Sequence, residues 1–540
     1  MQQETHNIPT RRGSTGTHID TRPIYIEEWL DSLPYIDFNK TSQLLLEATS
    51  QTNRENIKPE VRLELVTLYH RPYQYYLESQ VRSGAQHTLQ SMETMQAQIA
   101  VLKQIALNLA QACSLSIEQG VQRKTIWRQK KSPLPAILMQ MNYLAQTLIF
   151  SFLEYSAAPE NVWRDLNGLF YHVENMGQEH ATVIPPGGNA KKDATTITSA
   201  YKCILLASMV DPYRLPFGAI WEIYGQCRRW QDRAQLKAFA DIDNPEGIYV
   251  IDLEGDSPPI AYGKFNPKAV QESHRLISTT ELGALVNSYL DQLNSGKALD
   301  DEVQLSGFYA KQILEQMSSA WKLPALRYSP RVRSEGSVQV TSGMNAIYYY
   351  LNGAREFVAP ETGQDENIIT DTVGGVEAIK PGTTPGYAMD QWEIIDQGPG
   401  GFSICKKVKP KVPVKVGDLI GIMRGSDAGK AEDNLALGII RWLLIGGDRS
   451  YKIGIQTVAV DIIPAAIRAL TGTAMETSYS RAMIAGDFSH SGANAVICAA
   501  GLYGEGREYE LRVEGKTLRA RAGDTVESTA SFNHFNLGPL

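Results

Sequence analysis

The sequence predicts an α+β multidomain protein: a helical N-terminal domain, an antiparallel β-barrel and a β-rich C-terminal extension. Up to about residue 323, apolar residues recur at spacings of three and four, which is typical of amphipathic helices. Beyond about residue 325, short runs of Val, Ile and aromatic residues are bounded by Gly, Asp or Lys, which favours strands and turns. Because 540 residues exceed the size of one hydrophobic core, we expect two or three domains.

The helical domain is predicted over residues 24–323, after a polar segment at 1–23 that we expect to be a disordered tail. In one long amphipathic pattern, Ile99, Leu102 and Leu109 fall on a single helix face, and such a face needs a partner helix. A small β-hairpin is predicted within the domain, in "GIYVIDLEGDSPPIAYG", from its β-branched residues and its Gly and Pro turn. We expect this domain to bind a protein partner of unknown identity.

One uncharged stretch, residues 132–153, is long enough to suggest a membrane span. It contains Pro135 and the amides of Gln140, Asn142 and Gln146. These polar groups favour a helix that is buried in a bundle. We therefore expect no transmembrane segment.

Six strand-like runs predict the barrel, which we place at residues 324–475. They are "GSVQVTSG", "DQWEIID", "GGFSICKKV", "DLIGIMR", "LALGIIRWLLI" and "YKIGIQTVAV", and their close spacing is typical of a small antiparallel barrel. A polar segment rich in Gly, Pro and Thr, at about 352–389, is predicted to be a loop inserted between strands. Residues 476–540 form the β-rich extension, with a hairpin turn at Glu514 and Gly515.

Composition argues against several functional classes. The formal net charge of −7 disfavours a nucleic-acid-binding protein, which usually carries a basic stripe. The five cysteines are far apart, so they fit neither a zinc site nor a disulfide framework and are typical of a reducing compartment, here the cytoplasm. The nine histidines are scattered, and no pattern predicts a catalytic or metal site. We therefore expect a protein that is not an enzyme and has no metal.

Three arginines, Arg327, Arg331 and Arg333, crowd the segment where helical sequence gives way to strands. Pro330 disfavours a helix there, so the guanidinium groups could close around one ligand. Arginine suits phosphate because its planar fork donates paired hydrogen bonds and keeps its charge. The alternative is a solvated linker with exposed ion pairs.

A second segment, "DQGPGG", carries Asp396, Gly398 and Gly401. Its glycines allow a sharp turn and a close approach of a ligand to the backbone, and an ionised Asp can accept two hydrogen bonds from the neighbouring donors of guanine. Together the two segments complement a guanine nucleotide. An ordinary hairpin turn explains Asp and Gly equally well.

These segments resemble the PilZ domain, a bacterial receptor for cyclic di-GMP. That family carries Arg-x-x-x-Arg at the entry to a small barrel, here Arg327 to Arg331, and Asp/Asn-x-Ser-x-x-Gly on the barrel, here Asp396 to Gly401. The runs "LGIIRWL" and "YKIGIQTV" are similar to its later strands, and the resemblance covers about residues 325 to 475. Two features depart from the pattern. Gly398 replaces the usual serine, and the gap between the segments is longer than usual, which the inserted loop explains.

The resemblance implies a cytoplasmic bacterial effector that binds cyclic di-GMP at the joint between the helical and PilZ-like domains and relays the signal to a protein partner. Arg327 and Arg331 would hold phosphates and guanine faces, with Arg333 as a further phosphate contact. Asp396 would bind a guanine edge, and Gly401 would leave room for the ligand. Gly398 lacks the hydroxyl, which also leaves open a scaffold that keeps the barrel without the ligand.

Overall fold

A computed structural model describes residues 8, 18–85, 92–122, 132–305, 309–322, 331–360, 387–424, 435–470, 478–485, 495–529 and 531–540. The chain divides into two compact units, Met1–Leu326 and Arg327–Leu540. The predicted tail at 1–23 is too long: Ile19 is fully buried, and Pro23 begins the first helix. Residues 1–7 and 9–17 lie outside the described residues.

The first unit is built mainly from helices, which confirms the predicted helical domain. They are α1 (Pro23–Asp31), α2 (Phe38–Arg54), α3 (Pro59–Ala85), α4 (Met92–Gln122), α5 (Leu134–Leu153), α6 (Val162–Asn175), α7 (Ile197–Met209), α8 (Ala219–Trp230), α9 (Thr280–Asn294) and α10 (Ala310–Lys322). Their apolar faces meet in one core, and the predicted face of α4 with Ile99, Leu102 and Leu109 is buried in it.

Among the described residues, two helices are long and apolar enough to cross a membrane by length and composition: Thr94–Gly120 within α4, and α5. Most of α5 is buried by the rest of the first unit, as the sequence predicts for a bundle helix. One or two such helices are weak indications of a membrane protein, because the core helix of a bundle passes the same test.

The first unit also contains a four-stranded antiparallel sheet. Its strands are β1 (Gln235–Ala238), β2 (Ile248–Asp252), β3 (Ile260–Ala261) and β4 (His274–Ser278), in the order β1-β4-β2-β3. The predicted hairpin corresponds to β2 and β3. The prediction omitted β1 and β4. Strand β1 is short and largely exposed, and its residues do not alternate between buried and exposed.

The second unit begins with a barrel whose strands include all six predicted runs. The strands are β5 (Val332–Arg333), β6 (Ser337–Ser342), β7 (Asp390–Gly398), β8 (Gly401–Lys406), β9 (Leu419–Arg424), β10 (Ala436–Ile445) and β11 (Tyr451–Ala459). Their order is β5-β7-β6-β9-β10-β11-β8, and pairing of β7 with β8 closes the ring. Helix α11 (Met344–Leu351) follows β6. Most of the predicted inserted loop, residues 361–386, lies outside the described residues.

The C-terminal extension is a second closed barrel beside the first. It consists of β12 (Ile462–Ala469), β13 (Ser480–Ala485), β14 (Ala495–Ala499), β15 (Glu508–Val513), β16 (Lys516–Ser528) and β17 (Phe532–Gly538). The predicted boundary at 475 is therefore too late, because β12 pairs with β13 and β15 rather than with the first barrel. The predicted turn at Glu514 and Gly515 joins β15 to β16, with φ of 48° and 79°.

The two barrels share an apolar contact. Leu419 and Leu437 of the first barrel and α11's Ile347 pack with Met483 and Phe532 of the second. The second barrel also has its own interior core, which includes Tyr509, Leu511 and Phe535. The barrels are therefore separate closed sheets joined by a common hydrophobic layer.

Candidate functional site

The predicted site residues that the structure describes lie on or beside three neighbouring strands of the first barrel. Arg333 of β5 is directly opposite Asp396 of β7, and Asp396 is directly opposite Ser403 of β8. Side chains of directly opposed residues in antiparallel strands project on the same face of the sheet. Arg331, two positions before Arg333, joins this face.

A β-bulge sets the direction of Asp396. The pairing of β7 with β8 shifts between Ile394 and Asp396, so Ile395 is an extra residue. Without the bulge, strict alternation from the buried Trp392 would turn Asp396 toward the barrel core. The extra residue instead places Asp396 with Ser403 on the outer face, as bulges commonly re-aim a side chain.

Arg331 and Asp396 form an ion pair on this outer face. Nη1 of Arg331 donates to Oδ1 of Asp396 over 2.6 Å, and the two side chains are 26% and 28% exposed. The hydroxyl of Ser403 donates to the same Oδ1 over 2.8 Å. Within the described residues, Oδ2 has no hydrogen-bond partner. The structure thus brings together two of the predicted residues, one from each motif.

The other two arginines differ in what the structure describes. Arg327 lies outside the described residues. Arg333 is exposed, and its guanidinium has no hydrogen-bond partner among the residues that the structure describes. It therefore adds an available positive charge beside the Arg331–Asp396 pair.

The glycine segment forms a tight hairpin between β7 and β8. Gly398 pairs with Gly401 across a two-residue turn, which is the ordinary hairpin that the sequence also allowed. Gly401 has a φ of 152°, and a Cβ added there would overlap the backbone oxygen of Ile455 on β11. Close packing within the barrel is thus enough to explain why this position is glycine.

Ser403 is a site residue that the sequence analysis missed. The resemblance placed a serine at position 398, where this chain has glycine. Ser403 instead supplies a hydroxyl to Asp396 from the neighbouring strand. The available signal was its place in a hairpin, where β8 runs back along β7 and brings Ser403 opposite Asp396.

Trp442 is a second residue that the sequence analysis gave no role. Gly454 of β11 lies between Ser403 of β8 and Trp442 of β10 in one row of directly paired residues. The indole of Trp442 covers the side-chain face of Gly454, because a Cβ added to Gly454 would overlap the ring. A flat aromatic group therefore lies one strand beyond Ser403, on the same face.

The described residues contain no group of three or more His, Cys, Asp or Glu side chains that could hold a metal ion. The outer face instead combines fixed positive charge, a carboxylate and an indole, and the hydroxyl that holds the carboxylate belongs to Ser403, which is only 2% exposed. Guanidinium groups bind phosphate, a carboxylate accepts from neighbouring N–H donors, and an indole stacks on a planar ring. This combination suits an anionic ligand that contains a planar hydrogen-bonding ring.

Comparison with known proteins gives two family matches. Residues 25–241 match a model described as "Cyclic-di-GMP receptor FimW, N-terminal domain", and residues 248–374 match one described as "Cyclic-di-GMP receptor FimW, middle PilZ domain". The second range begins at Ile248, the first residue of β2, and so starts well before the predicted barrel boundary at 324. It contains the arginine segment, β5, β6 and α11, and it ends before β7, which carries Asp396.

A curated relative matches nearly the whole chain. It is "Cyclic-di-GMP receptor FimW" of Pseudomonas aeruginosa, which is 22% identical over 98% of this chain and 92% of its own length. No solved structure matches significantly. The matches to FimW and to a PilZ-domain model confirm the resemblance to the PilZ-domain family that the sequence predicts.

Proposed function

We propose that this protein is a non-catalytic bacterial receptor that binds cyclic di-GMP on the outer face of its first barrel. The observation that carries the proposal is the meeting of Arg331 and Asp396, one from each predicted motif, in a 2.6 Å contact. The names of the matched families and of the relative support the same ligand. Binding at this face also accounts for the exposed charge of Arg333.

Arg331 and Arg333 bind the phosphates, and Arg327 joins them from the segment before β5. Each charge-assisted hydrogen bond contributes about 1.5–3 kcal/mol where water is largely excluded. A few such bonds are enough for a micromolar dissociation constant, which needs about 8 kcal/mol. The arginines thus supply most of the affinity and little base selectivity.

Asp396 selects guanine. Its Oδ1 accepts from Arg331 and Ser403, and its Oδ2 lies free of hydrogen bonds to the described residues. When Arg331 turns from the carboxylate to a phosphate, both oxygens of Asp396 can accept from the two neighbouring donors on the edge of guanine. Ser403 keeps the carboxylate oriented during this exchange.

Trp442 provides a stacking surface for a base. Its indole lies over Gly454, in the row that continues from Asp396 through Ser403. Stacking of a base on an aromatic side chain contributes about 1–3 kcal/mol and does not depend on base identity. Trp442 therefore complements the selective contact of Asp396.

The proposed output is a change in the freedom of the helical unit, which carries the protein partner's surface. Arg327 is the first residue of the second unit, directly after the last residue of the helical unit. Fixing Arg327 and Arg331 on a ligand restricts this connection, and a ligand shifts a conformational equilibrium by its differential affinity for the two states. We place the protein in the cytoplasm, in keeping with its five free thiols.

Isothermal titration calorimetry of the full chain with cyclic di-GMP tests the proposal. We expect saturable binding with a dissociation constant in the micromolar range, and none with GMP at the same concentrations, since one nucleotide engages only part of the site. The absence of heat with cyclic di-GMP, from folded monodisperse protein, would reject the receptor.

A ligand-independent scaffold is the second candidate, and one observation favours it. Arg331 and Asp396 already form an ion pair with each other, and position 398 lacks the hydroxyl of the family pattern. A scaffold would retain its partner with no response to the nucleotide. Partner capture that is unchanged by saturating cyclic di-GMP, together with a silent titration, would select this candidate.

A further inference from the structure

The proposed ligand hairpin packs against three consecutive residues of β11, Ile455, Gln456 and Thr457. Gln456 lies opposite Gly401 in the pairing of β8 with β11. Its Cα would be 3.0 Å from a Cβ added to Gly401, and the next amide, of Thr457, donates to the carbonyl of Gly400 over 3.2 Å. Any displacement of β11 at this position therefore moves the hairpin.

The side chain of Gln456 is tied to the second barrel through Arg441. Nε of Arg441 donates to Oε1 of Gln456 over 2.7 Å. The two terminal nitrogens of the same guanidinium donate to the two carboxylate oxygens of Glu527, on β16, over 2.6 and 2.7 Å. All three nitrogens of the Arg441 fork are thus engaged, one toward the hairpin support and two toward the second barrel.

A β-bulge places Arg441 for this double contact. The pairing of β10 with β11 shifts between Ile440 and Trp442, which makes Arg441 the extra residue. Bulges re-aim side chains, and this one positions Arg441 toward Glu527 while Trp442 lies over Gly454. The side chains of Arg441 and Glu527 are 35% and 20% exposed, and bidentate pairs of this kind fix geometry as well as adding energy.

From this geometry we infer that Glu527 and Arg441 are positioning residues for the ligand site: the second barrel holds the Gly398–Gly401 hairpin in its binding geometry through Glu527, Arg441 and Gln456. The inference rests on the proposed function in naming cyclic di-GMP as the ligand. It gives the C-terminal barrel a specific task, which is to preorganise a site that lies on its neighbour. Ligand affinity should therefore depend on a carboxylate that does not contact the ligand.

Calorimetric titration of full-length Glu527→Gln and Arg441→Lys variants with cyclic di-GMP tests this dependence. Glu527→Gln keeps the approximate shape of the side chain but loses its charge, whereas Arg441→Lys keeps the charge but loses the planar fork of nitrogens. We expect each variant to bind about 3- to 10-fold more weakly, which is the range for residues that act through a network. The matched control is Ser531→Ala. It removes another bond between the barrels, in which Oγ of Ser531 donates to Oδ1 of Asp418 over 3.3 Å, and it should leave the affinity unchanged.

Hydrogen exchange in ligand-free protein separates positioning from general stability. The amides of Gly401, Phe402 and Thr457 should exchange faster in the Glu527→Gln and Arg441→Lys variants than in wild type, and at the wild-type rate in Ser531→Ala. Adding Gln456→Ala to Glu527→Gln should cause no further loss of affinity, because the two changes break the same connection.

Three results would overturn the inference: wild-type affinity together with wild-type exchange in both variants, equal losses in Ser531→Ala and Glu527→Gln, or fully additive losses in the double variant. If wild-type protein binds no cyclic di-GMP, the proposed function fails. The exchange measurement then still decides whether the second barrel holds the hairpin.

Discussion

Arg331 and Asp396 lie 65 positions apart in the sequence, and Nη1 of the first donates to Oδ1 of the second over 2.6 Å. Both side chains remain partly exposed. Exposed ion pairs contribute only about 0–1 kcal/mol to stability. The importance of this pair is therefore its position, since it places the proposed phosphate-binding Arg331 next to the proposed base-binding Asp396.

Replacing Arg331 should weaken cyclic di-GMP binding without unfolding the barrel. We expect Arg331→Ala to lower affinity about 10- to 100-fold, which corresponds to the 1.5–3 kcal/mol of a charge-assisted hydrogen bond. The affinity of Arg331→Lys should lie between that of Arg331→Ala and that of wild type, because lysine keeps the charge but loses the planar fork of the guanidinium. Calorimetry provides the affinities. The control is Arg521→Ala, which removes an exposed ion pair with Glu508 on the second barrel and should bind cyclic di-GMP as tightly as wild type. If Arg331→Ala also binds as tightly as wild type, the site lies elsewhere.

Asp396→Asn should change which base the site prefers. A carboxylate accepts from both neighbouring donors of guanine, whereas an amide offers one acceptor and one donor. We expect the affinity of the variant for cyclic di-GMP to fall about 10-fold or more. Its preference for cyclic di-GMP over cyclic di-AMP should also become smaller, since adenine presents a donor beside an acceptor on this edge. Competition titrations with the two dinucleotides measure the ratio. An unchanged ratio would remove Asp396 from base recognition.

Gly401→Ala should destabilise the first barrel. The new Cβ would overlap the backbone oxygen of Ile455, and the φ of 152° is unfavourable for alanine. We expect a loss of about 2–4 kcal/mol in unfolding free energy, typical of backbone strain combined with overpacking, measured by urea denaturation.

The neighbouring Gly400→Ala is the matched control for that measurement. A Cβ at Gly400 meets no atom within 4 Å, so its effect should stay within about 0.5 kcal/mol, as for an ordinary surface substitution. Similar losses at both positions would contradict the steric explanation for Gly401.

Asp418 should make the stability of the second unit depend on pH. It lies between the barrels, where its carboxylate accepts from the backbone amide of Lys415 and from Ser531, and burial raises its pKa to about 6. An unfolded Asp has a pKa of about 3.9, so the folded state binds the proton more tightly. The carboxylate therefore lowers stability as pH rises from about 4 to about 6, and its full penalty applies above that range.

Asp418→Asn removes this titration. Its stability should change less than that of wild type between pH 4 and pH 6, by a difference on the order of 2 kcal/mol before allowance for partial exposure. Urea unfolding at several pH values measures the slope. Identical slopes in the two proteins would assign the pH dependence to other groups.

The barrel strands could be predicted because each run carries its own local signal. In β9, Leu419 and Ile420 are buried, and in β11, Ile453 and Ile455 are buried, so an apolar run between turn residues was enough. The boundary between the barrels could not be predicted in the same way. The sequence of β12 reads as a strand in either barrel, and only its pairing with β13 and β15 assigns it to the second.

The sequence alone determined the order of helical and β regions, the two site motifs and the resemblance to PilZ domains, since these depend on residue types at short spacing. Only the tertiary structure decided which side chains meet. Two single-residue bulges, at Ile395 and Arg441, set the directions of Asp396, Arg441 and Trp442. Because side chains in a strand alternate between faces, one extra residue reverses a side chain's face, and that reversal depends on the partner strand.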